Sequence, residues 1–161
     1  MIQLGQFKVH VVENAHAPIF GPLYFAKGEI ASKIDENSSV FDYKMGDSFG
    51  FLIEHPEGNI VFQATANFPA QYEKKTFPAN VVLLSLAKID SSDELINKVL
   101  SLTSAKKIVP LHFDNFMKPI ENDKVEYLFG VDMDKFKTKI KNLSKNISVI
   151  EPQYLKPIKL Y

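Results

Sequence analysis

Cysteine is absent from all 161 residues. Disulfides and thiolate metal ligands are therefore excluded, and a cytoplasmic setting is the expectation. Arginine is absent too: all 19 basic residues are lysine, matched by 19 acidic ones. Phosphate and base recognition lean on the forked guanidinium. Its absence, with zero net charge and a sequence pI near 6.9, argues against a dedicated nucleic-acid binder. Genomic base composition is the plainest source of the lysine bias. No apolar run approaches the ~20 residues that cross a bilayer, so no membrane role is expected. Met1 to Gly5, "MIQLG", lacks the basic start and apolar block of a secretion signal. Also missing are a Gly-rich phosphate loop and a Gly-x-Ser-x-Gly elbow, which leaves a serine or cysteine nucleophile without support.

What is present reads as one globular domain, residues 1–161, with 45% hydrophobic and 24% charged residues. "QFKVHVVE", Gln6 to Glu13, sets Phe7, Val9 and Val11 against Lys8, His10 and Val12, the period of a strand. "NAHAPIFGPLYFAKGEI" is irregular, and "ASKIDENSS" reads as an exposed polar loop. From Phe41 the pattern is meander-like: "FDYKM", a turn at Gly46-Asp47, the strand "SFGFLIE", a hairpin at His55 to Asn59, and the returning "IVFQAT".

The character then changes. "NVVLLSL", Asn80 to Leu86, is apolar on both sides of its pleat, as in a strand covered on both faces. Ser91 and Glu94 form a capping box ahead of a helix with Leu95, Ile96, Val99 and Leu100 on one face. The helix runs to about Ser104 and "KIVPL" follows at once, so the two strands should be parallel in a βαβ unit. A second amphipathic helix starts near Asp132, with Met133, Phe136, Ile140 and Leu143 at helical spacing, and "SVIE" follows as a last strand. The expected class is α/β or α+β: a mixed sheet with helices on one face. The lysines of the final helix read as a solvated face.

In such sheets chemistry gathers beyond the carboxyl ends of strands. "KKIVPLHFDNF" ends there with His112, Phe113, Asp114, Asn115 and Phe116. They form either a strand-end cap or a site. A metal-bound imidazole usually donates its other N–H to a carboxylate, a role that Asp114 suits. Phe113 and Phe116 read as a dry wall or as plain core aromatics. His16, between two alanines just past the first strand, is a second candidate. His10 and His55 read as surface histidines. Asn67 is a turn residue by default. Hydrolytic zinc needs three protein ligands and an open position, and this inventory falls short.

The segments "FKVHVVENAHAPIFGP", "SFGFLIEHPEGNIVFQATANF", "ANVVLLSL" and "SAKKIVPLHFDNF" resemble, in order, the C-terminal half of metallo-β-lactamase-fold hydrolases. That family is a four-layer αβ/βα sandwich of two similar halves with metals at one edge. The resemblance implies that His16 and His112 are metal ligands for zinc or another divalent metal. It also implies that Asp114, Asn67 and Thr65 support them. Where the family carries a bridging aspartate after the hairpin strand, this chain has Gln63, Ala64 and Thr65. Thr65 to Phe68 and His112 to Phe116 match a branch with a Ser-Ala-Asn-like stretch instead. The family's His-x-His-x-Asp-His motif occurs nowhere.

The resemblance thus covers about half of an enzyme. A truncated chain, a split enzyme and a remnant without catalysis are the three accounts. One expectation is a metal-dependent hydrolase half, acting on a small-molecule substrate, with little or no turnover alone. The alternative is a non-catalytic domain for dimerisation or partner binding. Half of such a sandwich exposes the apolar inner face of its sheet, so a homodimer or a complementary N-terminal half is the expected partner.

Overall fold

The computed structural model describes residues 1–14, 26, 28–30, 33–39, 41–44, 46–63, 76–86, 93–120 and 125–161, with the side chains of the first helix from Ile96 onward. Seven strands and two helices follow in the order β1 (Ile2–Leu4), β2 (Phe7–Asn14), β3 (Ser48–Glu54), β4 (Ile60–Gln63), β5 (Val81–Ser85), α1 (Asp93–Thr103), β6 (Lys107–Leu111), α2 (Met133–Leu143) and β7 (Ser148–Val149). The strands lie side by side in chain order as one mixed sheet. β1 to β4 run antiparallel; β4, β5, β6 and β7 run parallel.

The parallel half forms where the sequence is apolar on both sides. Val81, Val82 and Leu84 of β5 are fully buried, as are Ile108 of β6 and Ile96 and Val99 of α1. Helix α1 ends at Ser104, whose N–H donates to the Leu100 carbonyl at 2.8 Å with a left-handed φ of 54°. Asp132 caps α2, its carboxylate accepting from the Lys135 N–H at 2.9 Å. Met133, Phe136 and Ile140 turn inward, whereas Leu143 in the last turn is exposed. These helix residues share one cluster with Val61, Val82, Leu84 and Ile108. Each large aliphatic side chain removed from water there contributes about 1.5–3 kcal/mol.

Pairing in register fixes which residues share a face. Val61 stands opposite Leu52 and Val82, and Val82 opposite Ile108, so this is the helix-bearing face. Extended across β3, β2 and β1, the same face carries Glu54, His10, Lys8 and Gln3. The other face carries Ile2, Leu4, Phe7, Val9, Val11, Phe49, Phe51, Ile53, Ile60 and Phe62. The helix side of the antiparallel strands thus mixes these polar residues with Val12, Leu52 and Val61, whereas the other side, which carries no described helix, is apolar apart from Glu13. Over β5 and β6 the second face is closed: Val81 and Val109 are buried, and the Lys107 ammonium there donates to the Leu160 carbonyl at 2.7 Å. Over β1, β2 and β3 it is open, with Ile2 50%, Leu4 60%, Phe7 46%, Val11 47% and Phe49 42% exposed.

Some expectations change. β1 has no periodic signal; it is held by the two-residue turn Gly5-Gln6, with Gly5 at φ 60°, which folds Leu4 onto Phe7. Phe41 to Lys44 is no strand: Asp42 closes a turn on Ser39, accepting the Ser39 N–H at 2.7 Å and donating its own N–H to the Ser39 carbonyl at 3.0 Å. His55 is half-buried; its ring stacks on Phe7 with centroids 4.6 Å apart. The Ser91 cap lies outside the described residues.

Candidate functional site

β6 ends in a change of backbone direction. His112 has φ 51°, a left-handed conformation that costs energy for residues other than glycine, though histidine enters it more readily than most. The kink takes the chain out of the sheet. Phe113 drops into the core and its carbonyl accepts the Leu128 N–H at 2.8 Å. Asp114 forms an isolated antiparallel bridge with Tyr127, and the Asn115 N–H reaches the Glu126 carbonyl at 2.8 Å. His112 itself is left exposed at the carboxyl rim, its imidazole 5.5 Å from the ring of exposed Phe116. Of the two aromatics read as a dry wall or as core, Phe113 is core and exposed Phe116 stands beside the imidazole.

The Asp114 carboxylate accepts a hydrogen bond from the Tyr154 hydroxyl at 3.1 Å. Burial of that hydroxyl, then this bond, raise the Tyr154 pKa. Asp114 thereby holds the C-terminal segment. Nearby, Glu151 accepts from the Tyr127 hydroxyl at 2.6 Å and from the Lys137 ammonium of α2. Partial burial works against the Glu151 charge, but the Lys137 and Tyr127 bonds outweigh it and lower the pKa. The Tyr127 phenol, bonded to that carboxylate, is pushed up to about 12. These contacts tie the loop after β6, helix α2 and the tail into one unit.

Further along the rim lies a polar row that sequence reasoning missed. Asn14 closes β2, Ser48 opens β3 and Gln63 closes β4; all three are buried at the same end of the sheet. Gln63 Nε2 donates to Asn14 Oδ1 at 3.3 Å, while buried Asn14 Nδ2 has no hydrogen-bond partner among the described residues. Gly50 leaves the room this row needs: a Cβ there would sit 2.9 Å from the Phe62 carbonyl and 3.1 Å from Asn14 Nδ2. The available signal was three polar residues at matching ends of successive strands.

His16, Thr65 and Asn67 lie outside the described residues. His112 and Asp114 are therefore the expected site residues that the structure describes. Among the described residues no group of three or more histidine, aspartate or glutamate side chains is placed to hold a metal ion. One exposed imidazole is a single ligand, where a hydrolytic metal needs three. At the opposite end of the sheet, a depression of about 290 Å³ is lined by Gln6, Lys8, Glu54, His55, Pro56 and Asn59. Its charges are of both signs and select no ligand class. No described helix is long and apolar enough to cross a membrane. No protein-family model matches the chain, and no curated protein matches it.

Proposed function

We propose that this chain is a docking half-domain, an αβ layer that works by packing its open apolar sheet face onto a complementary layer. One observation carries the reading: away from the described helices, β1, β2 and β3 present apolar side chains except Glu13, with Ile2, Leu4, Phe7, Val11 and Phe49 exposed, while Gln3, Lys8, His10 and Glu54 lie on the helix side beside Val12 and Leu52. A free face in water favours the reverse arrangement, because apolar area gains free energy only when it leaves water. Isolated apolar patches beyond a few hundred Å² mark association sites. The metallo-β-lactamase likeness agrees, since a half-sandwich presents such a face.

The test is dye binding in dilute protein. 8-Anilinonaphthalene-1-sulfonate should bind the chain, and Phe49→Lys, on that face, should sharply reduce the signal. A folded chain that binds no dye and never associates contradicts the proposal.

A second reading, half of a metal-dependent hydrolase, rests on His112. An imidazole held at a strand end in left-handed backbone, beside an exposed aromatic, suits a ligand that awaits others from His16 and from a complementary half. Asp114, Asn67 and Thr65 are the supporting residues this reading names. Zinc titration by calorimetry, on wild type and His112→Ala, checks this: binding by the first and loss in the second supports it. Equal heats from both contradict it.

A further inference from the structure

The open face has a size, an outline and a charge pattern that together point to its occupant. Aromatic side chains present roughly 150–250 Å² each and aliphatic ones less, so Ile2, Leu4, Phe7, Val11 and Phe49 at about half exposure leave on the order of 400 Å² open. The half-buried Val9, Phe51, Ile53, Ile60 and Phe62 lie among them on the same face. They bring the patch close to the ~800 Å² that each partner gives to a standard stable interface.

The patch is also uniform. From Ile2 and Leu4 across Phe7, Val9 and Val11 to Phe51, Ile53, Ile60 and Phe62, no charged residue among the described ones interrupts it. Glu13 stands at one end, opposite Phe49. A surface without charge has nothing to select an unlike partner or to repel its own copy, and specificity by charge needs both. Two identical faces of this type are complementary to each other, which is the requirement of a two-fold interface. Sheets pack face to face about 10 Å apart with side chains interleaving. With the strands of the two copies running in opposite directions, the Glu13 carboxylates lie at opposite ends of the interface. The helices α1 and α2, on the other face, are then outermost in both copies.

Resting on the docking reading above, we infer that the occupant is a second copy of this chain, packed sheet against sheet through β1, β2, β3 and β4 to give a helix–sheet–sheet–helix dimer. The interface centres on Phe7, Val11, Phe49 and Phe51. The C-terminal residues that close the face over β5 and β6 set its limit on one side, through Lys107 and Leu160.

The experiment is light scattering after gel filtration of the full chain at micromolar to high micromolar concentration, on wild type, Val11→Lys, Leu4→Glu and His10→Lys. His10 lies on the same strand as Val11 but on the opposite face. Wild type and His10→Lys should give twice the 18.2 kDa chain mass. Val11→Lys and Leu4→Glu should give the single-chain mass, with the dimer weakened 100-fold or more and an unchanged circular dichroism spectrum. Two charged variants on different strands guard against one failing to fold. A dimer that survives both overturns the inference. So does a wild-type monomer at every concentration. If that monomer binds anilinonaphthalene sulfonate and Val11→Lys removes the binding, a different protein is the occupant and the docking reading stands. If it binds no dye, both fail.

Discussion

Val11 stands opposite Phe51 in the β2–β3 ladder, and Phe51 opposite Phe62 in the β3–β4 ladder, with the two phenyl centroids 5.9 Å apart. This row runs across the sheet face that carries no described helix. Within one chain its members are only partly covered. Truncating Phe51 to alanine in dilute protein should therefore cost less than the ~3–5 kcal/mol of a core phenylalanine. With a second copy packed on this face, the loss should grow in concentrated protein, because the facing contacts go with it. Urea unfolding at two protein concentrations measures the difference.

Gly50 offers a sharper effect within one chain. It lies opposite Val12, and a Cβ would be driven into the Phe62 carbonyl at 2.9 Å and the Asn14 amide at 3.1 Å. Backbone cannot step aside as a flexible side chain can. Gly50→Ala should destabilise by about 1–3 kcal/mol, the usual range for overpacking. Thermal unfolding reads this directly, and Gly46→Ala, where no described residue lies within 4 Å, is the matching control.

The Tyr127–Glu151–Lys137 group makes stability pH-dependent at both ends. The Glu151 pKa is lowered on folding, so its contribution is present above the unfolded carboxylate pKa and is lost as pH falls through the lower folded value. The Tyr127 phenol is raised to about 12, so the native state holds that proton more tightly. Its contribution is present below the unfolded value of 10.0 and disappears as pH climbs toward 12. In Glu151→Gln, Tyr127 should titrate nearer 10 by ultraviolet absorbance. Unchanged late titration would mean that the hydrogen bond is not the cause.

Tyr154 reports the role of Asp114. The carboxylate accepts the Tyr154 hydroxyl, 40 residues further along the chain, and thereby fastens the C-terminal segment. Asp114→Ala should bring Tyr154 titration back toward the ordinary range and speed proteolysis after Glu151. If instead the substitution leaves the tail as resistant as before, the tail is held by other contacts such as Lys107 to Leu160.

Much of this architecture is legible in the residues, and the reasons for the exceptions are physical. β5, α1 and β6 are readable because Val81 to Leu84 is apolar on both sides and Ile96 and Val99 repeat at helical spacing. β1 is not: three residues carry no period, and their order comes from pairing with β2 across Gly5. The alternation in β2 states that a strand exists but not which side meets the core. Val12 shares the helix-bearing face, and Phe7, Val9 and Val11 face away. At the rim, the position of His112 after β6 follows from the strand pattern, but its left-handed backbone and the Tyr154 partner of Asp114 depend on tertiary contacts. The row of Asn14, Ser48 and Gln63 emerges only once the strand ends are aligned.

Thiol labelling at position 11 tests the docking face most directly, because the natural chain has no cysteine. Val11→Cys should react rapidly with a maleimide in dilute solution and many-fold more slowly as concentration rises. Lys8→Cys, on the opposite face of the same strand, should react at one rate throughout. Equal, concentration-independent rates at both positions would contradict the docking of a second copy on this face.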